Sequence, residues 1–409
     1  MPVALQDYAE AAGQTVIDEL RDLAARVRGR RMRNVNSTSV GGGVAEILTR
    51  MVPLLRDLGI DAHWDVIKGD QSFYNVTKAF HNALHGKPEQ ITEEMLDIFR
   101  ATTEANLREI DLDSDIVVIH DPQPVGLIER KKETGGHWFW RCHIDVSAPQ
   151  ADVWAFLRPW VERYDAAVFS MPDFAQLLPI PQYRVAPSID PLADKNRPLD
   201  QGFILQVLEK YGIDPGKPIL IQISRFDRLK DPLGVIAAYK LAKKRQRCQL
   251  ILAGGGATDD PEGEKVLNEV REAAAGDRDI HVLLLPPFSD LDINALVRAS
   301  TVAIQKSIRE GFGLTVSEAL WKKTPVIGGA VGGIKLQVID GVTGFLVHSP
   351  EGCATRIVQL LRDRKLRERM GENGYRHVRQ NFLVTRQVKD ALLATLALDY
   401  PGESVVNLG

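Results

Sequence analysis

Cysteine is scarce in this chain, and what there is does not pair: Cys142, Cys248 and Cys353 are the three in 409 residues, far apart and set in apolar strand-like or helical runs. That spacing excludes a disulfide framework and a cysteine-built metal centre, and it suits reduced thiols in a cytoplasmic setting. Long apolar runs are missing as well. No stretch nears the ~20 residues that span a bilayer, and the N-terminus is acidic and amphipathic where a secretory signal would be basic and then apolar. Neither sign of charge is in excess: 51 Lys and Arg against 54 Asp and Glu leave a formal charge of −3, which argues against nucleic acid as a partner. There is no repeat at a solenoid period and no G-x-G-x-x-G dinucleotide fingerprint. An Asp-x-Asp pair flanked by apolar strand, as a catalytic metal would need, is also lacking; Asp111 to Asp115 (DLDSD) reads as an exposed turn.

What is present is an alternation of short apolar runs with helical ones. Ile116–His120, Ala166–Ser170, Arg184–Pro187, Ile219–Ser224, Gln249–Ala253, Val282–Leu285, Val302–Gln305 and Pro325–Gly328 read as strands, and the segments between them carry helical periodicity. Such alternation predicts an α/β fold with parallel sheets and helices on both faces. A hydrophobic share of 44% in a chain of this length supplies two cores. The polar stretch Ile189–Leu199 with Pro191 and Pro198 suits a hinge, so the expected domains are 1–195 and 196–383. Tyr8–Val27 carries Val16, Leu20, Leu23, Ala24 and Val27 at helical spacing, an amphipathic helix that packs on its own domain or, as the sharper alternative, forms a homodimer contact. Lys131-Lys132 and Lys243-Lys244-Arg245 read as solvated surface.

Three segments carry the chemistry. Glu310 to Glu318 (EGFGLTVSE) is a glycine-rich turn that feeds a helix and has an acid at each end. With the strand before it, it aims unpaired N–H groups and the positive end of a helix dipole at one point, where an anion can sit; a plain packing turn is the alternative. Pro218–Lys230 (PILIQISRFDRLK) ends an apolar strand in Arg225, Arg228 and Lys230, a crowding of cations that an anion would relieve or that solvent would simply bathe. Cys248–Gly256 (CQLILAGGG) is a further strand ending in glycines. In the first half, Met32–Gly43 (MRNVNSTSVGGG) breaks into three glycines before a helix, so Gly42 and Gly43 are candidates to approach a phosphate or sugar closely. Lys78 and Asn82 stand four apart on one helix face, and an aromatic strand ends in His143 and Asp145.

The ordered set SRFDRLKDP, LILAGGG, EGFGLTVSEAL, PVIGGAVGG and DGVTGFLV resembles the C-terminal half of the retaining GT-B glycosyltransferases of family 4. The segments GGGVAEIL, GDQSFYNVTKAFHN, VVIHDPQP and WRCHIDVS resemble the trehalose-forming branch of that family, its synthases more than its longer phosphorylases, so the resemblance spans nearly the whole chain. It implies a GT-B fold of two doubly wound Rossmann-like domains facing across a cleft, with a C-terminal helix, roughly 384–400, crossing back to the first. It also implies a reaction, transfer of glucose from a nucleoside diphosphate glucose to glucose with retention, giving α,α-trehalose. By the same resemblance Arg225 and Lys230 hold the donor diphosphate, Glu310 faces the donor sugar and Glu318 holds the ribose. Gly42, Gly43, Gly313, Leu314 and Thr315 line the donor through backbone N–H groups. His143 faces a sugar, and Asp145, Lys78 and Asn82 belong to the acceptor side or brace its wall. No tightly bound cofactor is expected; the donor is a nucleoside diphosphate glucose, UDP-, ADP- or GDP-glucose, with the base left open, and Mg2+ would act only through the diphosphate. Expected partners are these sugars and no macromolecule beyond a second copy.

The two acids do not suit a hydrolase. Eight helical residues separate their backbones by ~12 Å at ~1.5 Å per residue, whereas the two carboxyl groups of a retaining hydrolase stand ~5–5.5 Å apart.

Overall fold

The computed structural model describes residues 3–39, 43–255 and 261–402. The chain divides into two compact units: one runs to Ser188 and resumes at Val384, and the other is Ile189–Leu383.

In the first unit six parallel strands, β1 (Arg31–Asn36), β2 (Asp61–Val66), β3 (Ile116–His120), β4 (His137–Cys142), β5 (Ala166–Phe169) and β6 (Gln182–Arg184), lie in the order β2-β1-β3-β4-β5-β6. Order reverses between β1 and β3, so the connections run out to opposite edges of the sheet from that point. The aromatic strand is central: Trp138 and Trp140 of β4 are wholly buried. The strand expected at Arg184–Pro187 sits earlier, because the last ladder bond is Val185 N–H to Phe169 O and Pro187 has no N–H to continue it. The helix Gln14–Ala25 buries Ile17, Leu20 and Leu23 within this unit. So does the C-terminal helix Val384–Asp399, whose Arg386 donates to Ala186 O at 2.6 Å and whose Lys389 meets Glu19 at 2.6 Å.

The second unit holds β7 (Ile219–Ile223), β8 (Gln249–Gly255), β9 (Ile280–Leu285), β10 (Val302–Gln305), β11 (Val326–Gly329) and β12 (Gly344–Val347), all parallel, in the order β12-β11-β10-β7-β8-β9. Its order reverses between β7 and β10, which are paired neighbours although eighty positions apart in sequence at their site residues. At such a switch point the loops leaving the two strands diverge and open a crevice. The division between the units falls at the start of the stretch where it was expected, and the rest of that stretch is fastened to the second unit. Asn294 Nδ2 donates to Asp194 O and Arg197 O at 2.8 Å each, Arg298 to Asn196 O at 2.9 Å and Lys322 to Asn196 Oδ1 at 2.8 Å, so the second unit starts at Ile189 rather than at 196.

Gly254, near the end of β8, is needed for close approach of backbone: a Cβ there would lie 1.8 Å from Ser224 O, where the chain leaves β7. Gly254→Ala should therefore destabilise the second unit by about 1–3 kcal/mol, lowering its unfolding temperature by several degrees in calorimetry; unchanged melting would contradict the close approach.

Candidate active site

Two loops leave the switch point of the second sheet. The one after β7 turns through Ser224–Asp227 into a single 3-10 turn, Arg228–Lys230, and Asp231 caps the next helix, Pro232–Lys243, by accepting Gly234 N–H at 3.1 Å. The one after β10 runs from Lys306 to Gly313 and starts the helix Leu314–Trp321. Ile308 N–H to Leu229 O at 2.8 Å stitches them together, as does the ion pair of Lys306 with Asp231. This brings Lys230 Nζ to 2.7 Å from both oxygens of Glu310. Ser307 Oγ donates to Glu310 Oε2 at 3.0 Å, and Gln305 Nε2 lies 3.4 Å from the same oxygen. The carboxylate is thus held by a cation and two neutral donors while only 9% of its side chain is exposed.

The loop can take this shape because Gly332 lies directly under it. Its φ is +44°, and a Cβ would fall 1.6 Å from Glu310 O. Gly333 N–H donates to Gly311 O at 3.1 Å, and Gln337 to Phe312 O at 2.6 Å. Gly313, with φ +81°, starts the helix, and no described side chain caps it. Leu314 and Thr315 occupy the first turn, where N–H groups have no partner within the helix. Arg225 is 62% exposed, with Asp227 3.7 Å away. Glu318 is buried one turn further along; Lys195 lies 3.7 Å from its Oε1, and Lys322 donates to its carbonyl at 2.9 Å. Burial drives the Lys322 ammonium down to about 7, against the pull of Glu318.

In the first unit the candidates gather after β3 and β4. His120 Nδ1 and His143 Nε2 are 3.0 Å apart, and His120 Nε2 lies 3.1 Å from Asn34 Oδ1. Asp121, left-handed at φ +66°, accepts His143 N–H on Oδ1 at 2.7 Å. Burial, reinforced by the charge of Arg141, depresses both imidazoles, His120 to about 3, so both are neutral. Asp145 accepts Ser147 N–H and Oγ–H at 2.9 and 2.6 Å, closing a turn. On the helix Gln71–Leu84, Lys78 is exposed and Asn82 donates to Glu89 Oε1 at 2.8 Å. Gly43 is the first residue of the helix Gly43–Asp57, and Gly42 lies outside the described residues. Among the described residues no cluster of His, Cys, Asp and Glu is arranged to hold a metal.

Residues 34–176 match the model of the trehalose synthase N-terminal domain, and residues 205–377 that of glycosyl transferases group 1. The chain is 46% identical to a trehalose synthase of Pyrococcus horikoshii over 94% of both chains, and 42% identical to one of Rubrobacter xylanophilus over 95% of both. It belongs to the trehalose synthase family. A trehalose phosphorylase of Pleurotus pulmonarius is more distant, 28% identical over 91% of this chain and 58% of the relative. The fold of this trehalose synthase family member is GT-B, two parallel-sheet α/β domains. Solved structures with that fold include the trehalose-6-phosphate synthase OtsA (TM-score 0.71, 13% identity, 92% of this chain and 99% of that one) and a sucrose-phosphate synthase from Thermosynechococcus elongatus (TM-score 0.68, 17% identity, 90% and 99%). The chain is accordingly a glycosyltransferase of trehalose metabolism, and among the described residues no helix is long and apolar enough to cross a membrane.

Sequence reasoning did not single out several residues that these loops bring in: His120 and Asp121 beside His143, Gln305 and Ser307 on Glu310, and Lys195 by Glu318. His120 and Asp121 stand at the end of a clean apolar strand, IVVIHD, a position where a polar pair is itself a signal.

Burial raises the Asp121 carboxyl from its ordinary 3.8 to about 7, over the opposing effects of His143 N–H and Arg141. The folded chain keeps this proton where the unfolded chain has lost it, so the associated stability is fully present below pH 3.8 and disappears as pH rises through about 7. Asp121→Asn retains an acceptor for His143 N–H and has no charge to bury. Its stability relative to the wild type should rise between pH 4 and pH 8, on the order of 1.4 kcal/mol per pH unit at most. Urea unfolding across that range checks this, and a constant difference would contradict it.

Proposed function

We propose that this glycosyltransferase moves glucose from a nucleoside diphosphate glucose to the anomeric hydroxyl of free glucose, forming α,α-trehalose with retention of configuration. The observation that carries the reading is the Lys230–Glu310 pair set beside the first turn of the helix Leu314–Trp321 at the switch point. One end of that arrangement is cationic and rich in N–H donors, as a diphosphate requires. The other is a carboxylate fixed in position, as an oxocarbenium-like sugar or its hydroxyls require.

In this reading Lys230 and the exposed Arg225 take the diphosphate, joined by backbone N–H groups at Gly313 to Thr315. Glu310 faces the donor glucose and Glu318 accepts the ribose hydroxyls. As the bond from the anomeric carbon to the phosphate oxygen breaks, charge grows on the leaving oxygen, which the cations stabilise. That oxygen receives the proton of the incoming hydroxyl on the same face, so the α bond of the donor becomes the α bond of the product without an enzymic nucleophile. His143, neutral and oriented by Asp121 and His120, is suited to hydrogen-bond a sugar hydroxyl without adding charge; Lys78, Asn82 and Asp145 belong to the acceptor side. No tightly held cofactor enters the scheme.

The direct test is to supply glucose with UDP-, ADP- or GDP-glucose, or with glucose 1-phosphate, and identify the disaccharide by NMR. A nucleotide donor should yield α,α-trehalose and the nucleoside diphosphate. Product from glucose 1-phosphate alone, with release of phosphate, would instead make the chain a phosphorylase. Arg225→Ala should lower turnover by on the order of 10²–10³, the loss typical of one preorganised donor, with the fold intact. Glu318→Gln should weaken nucleoside diphosphate binding roughly tenfold or more in calorimetry; unaltered affinity would remove the ribose from Glu318.

A further inference from the structure

The face of the first sheet that the helix Val384–Asp399 covers carries a polar cluster of which the proposed transfer uses only His120, as a support for His143. Asn34 of β1, His120 of β3 and Arg141 of β4 point to that face, with His120 and Arg141 paired in register. Together with Gln387, Ala394 and Thr395 of the helix they line a cavity of about 60 Å³ whose remaining wall is largely apolar. Arg141 is 4% exposed and Asn34 is wholly buried.

Both present donors without acceptors. Arg141 gives one nitrogen to Val185 O, while its Nη1 has no hydrogen-bond partner among the described residues; nor does Asn34 Nδ2. The side-chain acceptors nearest the cavity each already face a neighbour. Asn34 Oδ1 takes His120 Nε2–H, His120 Nδ1 faces His143 Nε2, and Gln387 Oε1 takes Ser188 Oγ–H. Thr395 Oγ1 is turned to Ala391 O. Of the acids near enough to act on Arg141, Asp390 is bonded to Arg386 and Asp121 is raised to about 7. A buried N–H without a partner costs about 1–3 kcal/mol, and more when it carries charge, so the cavity favours a species that accepts from two donors and neutralises a guanidinium. Water, with a share of ~30 Å³ in the liquid, would fit, but it brings no charge to neutralise the guanidinium. A halide accepts without donating and carries the charge that neutralises the guanidinium.

We propose that this cavity is a binding site for a small monovalent anion, chloride being the available one, held by Arg141 Nη1 and Asn34 Nδ2. The anion ties the helix Val384–Asp399 to the sheet through a neutralised Arg141. It also offsets the positive charge that holds down the proton affinity of His120 and His143, which links salt composition to the histidines after β3 and β4.

The test uses the full chain dialysed into gluconate buffer and titrated with chloride, bromide, sulfate or more gluconate at constant ionic strength. The unfolding temperature should rise saturably with chloride and bromide and not with sulfate or gluconate. Crystals grown in bromide should show an anomalous peak within hydrogen-bond distance of Arg141 Nη1. Ala394→Leu, which fills the cavity with hydrocarbon and leaves Arg141 and its bond to Val185 in place, should fold and lose the halide response. Bromide crystals with only water in the cavity, a response that sulfate and gluconate share, or an Ala394→Leu protein that keeps the halide response would each overturn the proposal.

Discussion

Lys230 and Glu310 meet through a two-pronged ion pair at 2.7 Å, eighty positions apart in sequence, and the shape of the second unit's ligand edge follows from keeping that pair together. A half-buried lysine and a nearly buried glutamate are each expensive to hold without the other, and removing one partner of such a pair leaves the other's charge uncompensated. The parallel pairing of β7 with β10 supplies the approach, Ile308 N–H to Leu229 O locks the two loops, and Gly332 gives the Glu310 backbone room to descend. Ser307 and Gln305 then take up carboxylate lone pairs the lysine does not reach. The result is a charged pair preorganised before any substrate arrives, which is the condition under which electrostatics lowers a barrier without reorganisation.

The first unit works by the opposite device. Its histidines after β3 and β4 are neutral: burial and the Arg141 charge strip protons from His120 and His143, while burial, against the pull of Arg141, returns one to Asp121 near neutral pH. Neutral donors and acceptors recognise hydroxyl groups without the desolvation cost that charges incur.

Much of this was legible in the sequence where the physics is local. β3, β7, β8 and β10 are dominated by Ile, Val, Leu and Ala, as strands buried on both faces must be, and the glycines and charges that follow β7 and β10 mark the switch-point loops. β2 (DAHWDV) and β12 (GFLV) were not: β2 is an edge strand of largely polar composition, and β12 has four residues, too few for a pattern to stand out. Gly254, read as one more glycine at a strand end, is there for the Ser224 carbonyl. Ile189–Leu199 looks like a polar linker because the groups that bury Asn196, from Arg298 to Lys322, lie a hundred or more positions away. Likewise the His120–His143 contact depends on the register of β3 against β4, which no spacing reveals.

The central claim, that Lys230 and Glu310 act as one unit, is tested most directly by a double-mutant cycle on kcat/KM for trehalose formation with Lys230→Met, Glu310→Gln and both together. The account expects strong non-additivity: each single change should lose nearly as much as the double, with a coupling energy of about 2 kcal/mol or more. Losses that simply add in free energy would contradict it, because they would mean that the lysine and the glutamate serve the reaction independently.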